Sequence, residues 1–215
     1  MRIGHGPGQV RVKDVVAGEV SGVSRVVFDI SVSIDGFIAD LTGVPDGLHD
    51  WAFGPRDGST ALAVPDTWRP DVFGAVIAGW RTYSDSLPSW GSDGPSQELR
   101  LPVVVVTHGD VPEPPADGVY SFAHGIAEAL TRARALAGSK DVSVMGGGSI
   151  GGQFLAAGLL DEIKIHLAPV VLGAGVPLFG GFVEESLRLQ RLDAAVGDEA
   201  VHLRYRVVPG PTAAD

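Results

Sequence analysis

The amino-acid sequence predicts an α/β domain with flanking helices, whose central sheet is mostly parallel and has an antiparallel C-terminal edge. Segments with strand character alternate with segments of helical periodicity along most of the chain. A continuous β-branched run at 101–107, L-P-V-V-V-V-T, is typical of a central parallel strand that is buried on both faces. Two further strands, at about 186–193 and 200–208, close the chain and flank a turn at Gly197-Asp198.

Composition limits the possible classes of protein. The chain has 215 residues, of which 45% are hydrophobic, enough for one substantial domain. No apolar run approaches the roughly 18 to 20 residues that cross a bilayer, and the N-terminal segment lacks a signal-peptide core. The absence of cysteine excludes disulfides and thiolate metal sites, and the net charge of −10 argues against a nucleic-acid partner. We therefore expect a cytoplasmic protein without a membrane or nucleic-acid partner.

One folded domain is predicted at 25–208, between a flexible extension at 1–24 and a frayed tail at 209–215. A short edge strand at 9–16 is an alternative for part of the extension. The domain begins with a strand at 26–33, where the residues alternate in polarity.

The segment after this first strand predicts a turn and then a loop. Asp35-Gly36 is a tight-turn signal, and Phe37-Ile38 resumes apolar character. Residues 41–60 form the predicted loop, which carries Trp51 and Phe53. These two aromatic side chains either line a ligand pocket or fold back on the core, and both interpretations stay open.

The middle of the chain continues the alternation of helix, strand and loop. The predicted elements are a helix passing into a strand at 70–79, a helical turn at 79–83, loops at 84–100 and 109–118, and an amphipathic helix at 121–137.

The C-terminal third begins with a strand at 142–145 that runs into three consecutive glycines and a short helix. At 163–172, apolar residues alternate with Lys164 and His166, which predicts a half-exposed strand. A second glycine-rich loop follows at 173–181.

The glycine run V-M-G-G-G-S-I-G-G is the first motif that indicates a ligand. Gly146, Gly148 and Gly151 satisfy G-x-G-x-x-G between a strand and a helix. The acidic residue that a dinucleotide fold places about 20 residues further on is missing, so a standard Rossmann domain is not expected. A helix N-terminus behind a glycine turn still predicts a phosphate site, since free N–H groups and close backbone approach suffice. A purely structural turn is the alternative.

A second strand-to-helix junction, G-W-R-T at 79–82, has the same chemistry. The helix N-terminus, the Thr82 hydroxyl and the Arg81 guanidinium together suit a phosphate group. Because the carboxyl ends of parallel strands lie along one edge of a sheet, we expect the two junctions to converge on one crevice.

Other catalytic motifs are missing from the sequence. No H-x-H or H-E-x-x-H pattern occurs among the six histidines, so no metal site is expected. There is also no P-loop motif and no G-x-S-x-G motif.

Several segments, in this order, resemble the dihydrofolate reductase-like superfamily, and more closely its bacterial branch related to the riboflavin biosynthesis reductase domain. These segments are S-V-S-I-D-G-F-I-A at 31–39, G-W-R-T-Y at 79–83, V-V-V-V-T at 103–107, and V-M-G-G-G-S-I-G-G-Q-F-L followed by L-L-D-E-I-K-I-H-L-A-P-V-V-L-G. The resemblance covers about 25–208. It implies a homodimeric reductase that uses NADPH to transfer hydride to a small conjugated heterocyclic substrate of the pterin, pyrimidine or quinone kind.

The resemblance also implies roles for individual residues. Gly79, Arg81 and Thr82 would hold the adenosine-side phosphates, and Thr107 would lie beside the adenine ribose. The nicotinamide would lie between Ile38 and Ala39. The residues implied at the pyrophosphate are Met145, Gly146, Gly147, Gly148, Ser149 and Ile150.

The substrate side is implied less completely. The resemblance places Asp35 near the substrate. Apart from the resemblance, we expect Asp35, Asp50 or an ordered water to deliver the proton, and the D-W-A-F context of Asp50 departs from the family's pattern. We also expect Trp51, Phe53 and Met145 to contact the substrate ring. We expect catalysis to depend mainly on positioning.

Two departures from the family pattern leave the ligands open. Trp80 stands where the family usually has an arginine, which weakens the preference for NADPH over NADH. Met145 stands where riboflavin-pathway reductases carry a glutamate, which disfavours a ribosylamino-pyrimidine substrate. A non-catalytic protein on the same fold that binds a nucleotide or another ligand is the alternative function, and a flavin-binding oxidoreductase is a third.

Overall fold

The structure of the protein, a computed structural model, describes residues 24–53, 72–111, 113–181, 186–197 and 199–208. The predicted N-terminal extension and C-terminal tail therefore lie outside the described residues, apart from residue 24. The same holds for residues 54–60 of the predicted loop and for the side chain of Phe53.

Besides a short 3-10 helix at Gln97–Leu99, the described residues form ten strands and four α-helices. In chain order these are β1 (Val26–Val32), β2 (Phe37–Ala39), α1 (Asp50–Phe53), β3 (Phe73–Gly79), α2 (Trp80–Trp90), β4 (Val103–Thr107), β5 (Tyr120–His124), α3 (Ile126–Ala137), β6 (Asp141–Met145), α4 (Gly148–Ala156), β7 (Glu162–Leu167), β8 (Val176–Pro177), β9 (Leu189–Val196) and β10 (Val201–Val207). None of the helices in these ranges is long and apolar enough to cross a membrane.

Eight strands build the main sheet, in the order β5-β4-β3-β6-β1-β7-β10-β9. Neighbours from β5 to β7 pair in parallel, whereas β10 is antiparallel to both β7 and β9. Strands β2 and β8 form a separate antiparallel pair. The predicted sheet, mostly parallel with an antiparallel C-terminal edge, is confirmed.

Helices cover both faces of the parallel part of the sheet. Helices α3 and α4 pack on one face, in a cluster that includes Phe28, Ile77 and Phe154. Helix α2 packs on the other face, where Tyr83 contacts a smaller cluster containing Val105. All five residues of β4 are buried, as the β-branched run predicts for a strand between two layers.

Residues 73–79 of the segment predicted to pass from helix into strand form β3, and residues 70–71 of that segment lie outside the described residues. Two other predicted elements differ from the structure. Helix α2 extends to Trp90 through the predicted loop, because Tyr83, Leu87 and Trp90 recur at helical spacing and pack on one cluster. The segment 120–124 is a strand that pairs with β4, and α3 begins after Gly125, whose φ is +100°. Phe122 and Ile126 lie four residues apart, which imitates a continuous helix.

Candidate active site

Two neighbouring strands each run directly into a helix at the same edge of the sheet. Strand β3 enters α2 at Gly79, and β6 enters α4 at Gly147. These strands pair in parallel, with Ala78 opposite Met145, so the two helix N-termini lie side by side. Because the cap residues are glycines, no side chain caps the first-turn N–H groups. The edge therefore presents two adjacent, positively polarised helix ends.

The two junctions are in direct contact through Gly146 and Thr82. Gly146 has a φ of +114°, a conformation that L side chains rarely adopt. A Cβ on Gly146 would also collide with Oγ1 of Thr82. A Cβ on Gly79 would lie 3.6 Å from Cβ of Ile150 in α4. The predicted convergence of the two junctions is thus present in the structure.

The other glycines of the motif have packing roles. A Cβ on Gly148 would collide with the carbonyl oxygens of Pro177 and Leu178, and one on Gly151 would enter the ring of Phe28. The G-x-G-x-x-G pattern therefore combines one half-buried turn with two close contacts of α4, one with the β8 segment and one with Phe28 of β1. The alternative of a purely structural role therefore applies to Gly148 and Gly151, whereas Gly146 forms the turn between β6 and α4.

A groove of about 330 Å³ opens beside the N-terminus of α2. Its lining residues are Leu41, Thr42, Gly43, Trp80, Arg81, Ser84, Asp85 and Val176. Arg81 is exposed, and Trp80 is 41% exposed while its ring packs on Tyr83 and Phe122. The groove thus offers one cation, one carboxylate and a partly exposed indole.

The remaining residues implied at the cofactor border these junctions. Ile38 and Ala39 are buried in β2, and the side chain of Ile38 ends 3.9 Å from the Cβ position of Gly147. Thr107 is buried at the end of β4, and its Oγ1 accepts the N–H of Gly109. Ser149 is exposed in the first turn of α4. Met145 is half-buried at the end of β6 and packs on the α2 side of the sheet.

Asp35 ties two loops together. Its carboxylate accepts hydrogen bonds from Ser33 Oγ at 2.6 Å and from the N–H groups of Leu172 and Gly173 at 3.2 and 2.7 Å. The Ser33 hydrogen bond, followed by the two backbone bonds, lowers the pKa of Asp35 below its ordinary value. A carboxylate that is stabilised in this way suits a structural anchor better than a proton donor.

Trp51 folds back on the sheet. Its ring stacks on His166 with centroids 3.9 Å apart, and its Nε1–H donates to Ser31 Oγ at 2.9 Å. Asp50 begins the short helix α1 that carries Trp51. Trp51 therefore covers the sheet face that bears Ser31 and His166, and Asp50 lies next to it in the chain.

The sheet face beneath Trp51 is polar and buried, which the sequence interpretation missed. His166 Nε2 lies 2.8 Å from Oδ1 of Asp29, and His166 Nδ1 lies 2.7 Å from Nδ1 of His202. The prediction that β7 is half-exposed is wrong, because His166 is 1% and Lys164 4% exposed. Alternation of polar and apolar residues was the available signal. The alternation shows that β7 has a polar face and an apolar face, but it does not show that the polar face is exposed to solvent.

Further along this face, charged side chains form a network. The carboxylate of Glu162, 3% exposed, accepts hydrogen bonds from Arg204 at 2.6 and 3.0 Å and from Arg25 at 3.1 Å. Arg25 also binds Asp141, and this hydrogen bond is the largest cause that raises the pKa of Arg25. Burial lowers the pKa of Lys164, whose Nζ lies 4.8 Å from the ring centre of Phe73. Both buried carboxylates are therefore compensated.

Comparison with known families assigns most of the chain. Residues 24–203 match the model of the RibD C-terminal domain. The riboflavin biosynthesis protein RibD of Mycobacterium tuberculosis (strain CDC 1551 / Oshkosh) is 30% identical over 166 residues, which cover 73% of this chain and 45% of that protein. The chain thus spans less than half the length of this relative.

Solved structures agree with this assignment. A protein linked to riboflavin biosynthesis from Shewanella sp. PV-4 superposes with a TM-score of 0.64 at 25% identity, covering 86% of this chain and 99% of that one. The Thermotoga maritima diaminohydroxyphosphoribosylaminopyrimidine deaminase/5-amino-6-(5-phosphoribosylamino)uracil reductase gives 0.59 at 17% identity, covering 86% and 57%. The fold is dihydrofolate reductase-like, as the sequence motifs imply.

Proposed function

The chain belongs to the RibD C-terminal domain family, and from this premise we propose that it is a reductase that uses NADPH to reduce a small heterocycle of the pyrimidine type. The observation that carries the proposal is the contact between the two strand-to-helix junctions at Gly146 and Thr82. Two uncapped helix N-termini side by side suit a ligand with linked phosphate groups. The fold relatives include a uracil reductase, which supports reduction as the reaction.

The residues at the sheet edge fit the pyrophosphate of a dinucleotide. At Gly146 a side chain would collide with the Thr82 hydroxyl, so the glycine allows the two junctions to lie in contact. We assign the pyrophosphate to residues 145–150, and the adenosine-side phosphates to Gly79, Arg81 and Thr82. The nicotinamide ring would supply a hydride when bound, and Ile38 and Ala39 provide an apolar border for it. Thr107 is assigned to the adenine ribose.

Cofactor choice depends on the groove beside α2. Arg81 supplies the positive charge that a 2′-phosphate needs, whereas Trp80 replaces a second cation and Asp85 lines the same groove. We therefore propose NADPH as the cofactor, with a smaller preference over NADH than two arginines would provide.

The substrate is proposed to bind beside the α1 segment. Trp51, Phe53 and Met145 would contact a flat heterocycle, and Asp50 or an ordered water would deliver the proton. Asp35 would keep the loops at 33–37 and 172–173 in register, because its carboxylate already accepts three hydrogen bonds. Met145 supplies no hydrogen bond of the kind a glutamate would make, so we expect a substrate that differs from that of the riboflavin pathway.

A non-catalytic nucleotide-binding protein is the second candidate function. Two observations favour it: Asp35 is engaged in the loop, and Met145 is apolar. Titration calorimetry with NADPH and NADH tests both functions, because the absence of binding at millimolar concentration contradicts each of them. Binding without oxidation of the nicotinamide in the presence of pyrimidine, pterin or quinone acceptors would favour the second candidate.

A homodimer in the cytoplasm completes the proposal. The outer strand β9 is exposed along most of its length, and Val196 is 84% and Leu189 38% exposed. An edge strand with exposed apolar side chains is a common pairing surface. Light scattering at micromolar concentration tests the dimer, and a monomer at all concentrations contradicts it.

A further inference from the structure

The buried imidazoles of His166 and His202 form an arrangement that the proposed reaction does not use. They lie opposite each other on antiparallel strands β7 and β10. Their exposed fractions are 1% and 2%, and their Nδ1 atoms are 2.7 Å apart. Two nitrogen lone pairs at this distance repel unless a proton lies between them, so the contact is a hydrogen bond with one shared proton.

The partner of His166 Nε2 further limits the number of protons that the two imidazoles can hold. Nε2 of His166 lies 2.8 Å from the carboxylate of Asp29, which is a pure acceptor when ionised, so Nε2 carries a proton. The pair of rings then holds either no net charge or a single positive charge. A second positive charge would place an N–H on both Nδ1 atoms, and the 2.7 Å contact could not persist.

A metal ion does not explain the contact. Two imidazole nitrogens that bind one zinc at about 2.0–2.1 Å each would lie about 3.4 Å apart in tetrahedral geometry. The observed separation is much shorter, and no group of His, Asp or Glu in the described part of the chain could hold a metal ion.

The histidine pair supports Trp51 from below. The indole stacks on His166 at 3.9 Å and meets the edge of His202 at 5.0 Å. One positive charge on the pair is compatible with this stack, because a cation over an indole face is attractive. Two positive charges would repel each other, and the ring of His202 would move away from its position beneath Trp51.

Burial of the pair opposes a second charge. Asp29 from β1 supplies one negative charge, which acts to raise the pKa of His202. Among the described residues, the other titratable groups around this cluster are Lys164 from β7, Arg204 from β10, His49 and Asp50 at the start of α1, and, acting on Lys164, Glu162 and Asp141. Burial, and after it the charge of His166, lower the pKa of His202 to about 4.

We infer that Asp29, His166 and His202 form a proton-sharing chain that positions Trp51, and that a second positive charge on the two imidazoles releases Trp51 from the sheet. These are positioning residues, since they act through Trp51. The release of Trp51 is inferred from the contacts among these side chains. Its effect on substrate binding rests on the proposed function, in which Trp51 contacts the heterocycle.

The fluorescence of Trp51 as a function of pH tests the inference. The difference between the emission of the wild type and that of Trp51→Phe isolates this indole from the other three tryptophans. We expect the Trp51 emission to move to longer wavelength with a midpoint near the pKa of His202 in the folded protein, about 4, while far-UV circular dichroism stays native. His202→Gln, whose side chain cannot gain a proton, is expected to show a flat profile. His124→Gln, at an exposed position at the end of β5, is the control and should keep the wild-type profile.

Three results would overturn the inference. These are an unchanged Trp51 emission from pH 6.5 down to about pH 3, a transition that survives in His202→Gln, and a transition that coincides with loss of circular dichroism. If His202→Gln does not fold, ¹⁵N NMR of the wild-type imidazoles replaces it. One proton shared by the two Nδ1 atoms is expected at neutral pH, and separate protons on both atoms contradict the chain.

The readout needs neither cofactor nor substrate, so the inference and the proposed function can fail separately. If the protein is a reductase, the KM for the heterocycle should rise over the same acidic range in the wild type and stay constant in His202→Gln. If no nucleotide binds but the Trp51 profile follows the expectation, the proposed function fails and the proton-sharing chain stands.

Discussion

The hydroxyl of Thr82 occupies the space that a side chain on Gly146 would need. Thr82 lies in the first turn of α2, and Gly146 is the turn between β6 and α4, so this contact joins the two helix N-termini. Because the glycine also has a φ of +114°, both the conformation and the contact require the absence of a Cβ. The proposed phosphate site depends on this relationship.

Gly146→Ala tests the proposed phosphate site. We expect a loss of about 1–3 kcal/mol in the free energy of unfolding from the strained backbone and the clash with Thr82. We also expect loss of nucleotide binding. Gly109→Ala is the matched control, since a Cβ there meets nothing within 4 Å, and its stability should stay within about 0.5 kcal/mol of the wild type. Urea unfolding and calorimetry measure the two effects. A variant that binds NADPH as tightly as the wild type would contradict the site.

Arg81→Ala tests cofactor choice. Removing a charge-assisted contact to a phosphate should cost about 1.5–3 kcal/mol, roughly ten- to a hundredfold in the Kd for NADPH. The Kd for NADH should change less, because NADH has no 2′-phosphate. Arg134→Ala, an exposed arginine in the last turn of α3, is the control and should change neither constant. Equal losses for both cofactors would place Arg81 at the pyrophosphate instead.

Arg204→Met tests the buried ionic network. After its removal Glu162 keeps its ion pair with Arg25, and the loss of one partner from a buried ion pair costs about 3 kcal/mol. Glu128→Gln is the control, since its ion pair with Arg132 is exposed and worth about 0–1 kcal/mol, and the glutamine oxygen can still accept the N–H of His124. Chemical unfolding measures both. Similar losses in the free energy of unfolding for the two variants would show that the buried Glu162 ion pair contributes no more to stability than an exposed one.

The dependence of stability on pH follows from His202 and Asp29. The pKa of His202 is lower in the folded protein, about 4, than its ordinary 6.5, so the unfolded chain takes up the proton first. Stability is therefore expected to fall as the pH drops from 6.5 to 4 and to gain nothing from His202 above 6.5.

Asp29 acts in the same direction at lower pH. Burial raises its pKa, but the charge of His166 and the hydrogen bond to it outweigh burial, so the pKa of Asp29 is lowered. Its stabilisation is present above the ordinary pKa and is lost as the pH falls through the folded value. Urea midpoints between pH 8 and 2 measure both effects, that of Asp29 below its ordinary pKa of 3.8, and His202→Gln should flatten the upper part of the curve. A wild-type stability that rises on acidification from pH 6.5 to 5 would contradict this account.

The central sheet and the glycine junctions could be predicted because their signals are local. The run at 103–107 consists of β-branched residues whose preference for a buried strand does not depend on distant partners. The junctions at Gly79 and Gly146–Gly147 follow from turn chemistry next to a strand. The predicted helix at 121–137 begins too early, because the four-residue spacing of Phe122 and Ile126 fits one continuous helix and a short strand followed by a helix equally well.

Local composition also predicts the wrong end for α2, because it indicates a loop from residue 84 where the helix continues to Trp90. Ser84–Pro88 contain turn-forming residues, yet Tyr83, Leu87 and Trp90 pack on the sheet, and burial of three large side chains outweighs weak helix propensity. Propensity describes a segment in isolation, whereas packing depends on the neighbouring strands.

By itself, the sequence determined the type of fold and the edge of the sheet at which phosphate groups are proposed to bind, since periodicity and glycine turns act over a few residues. Only the tertiary structure decided that the polar face beneath Trp51 is buried. Asp29 and His166 are 137 residues apart in the chain, and His166 and His202 are 36 apart. A histidine in an alternating strand looks solvent-facing until its partners are known, because burial of a polar group is favourable only where distant strands supply its hydrogen bonds.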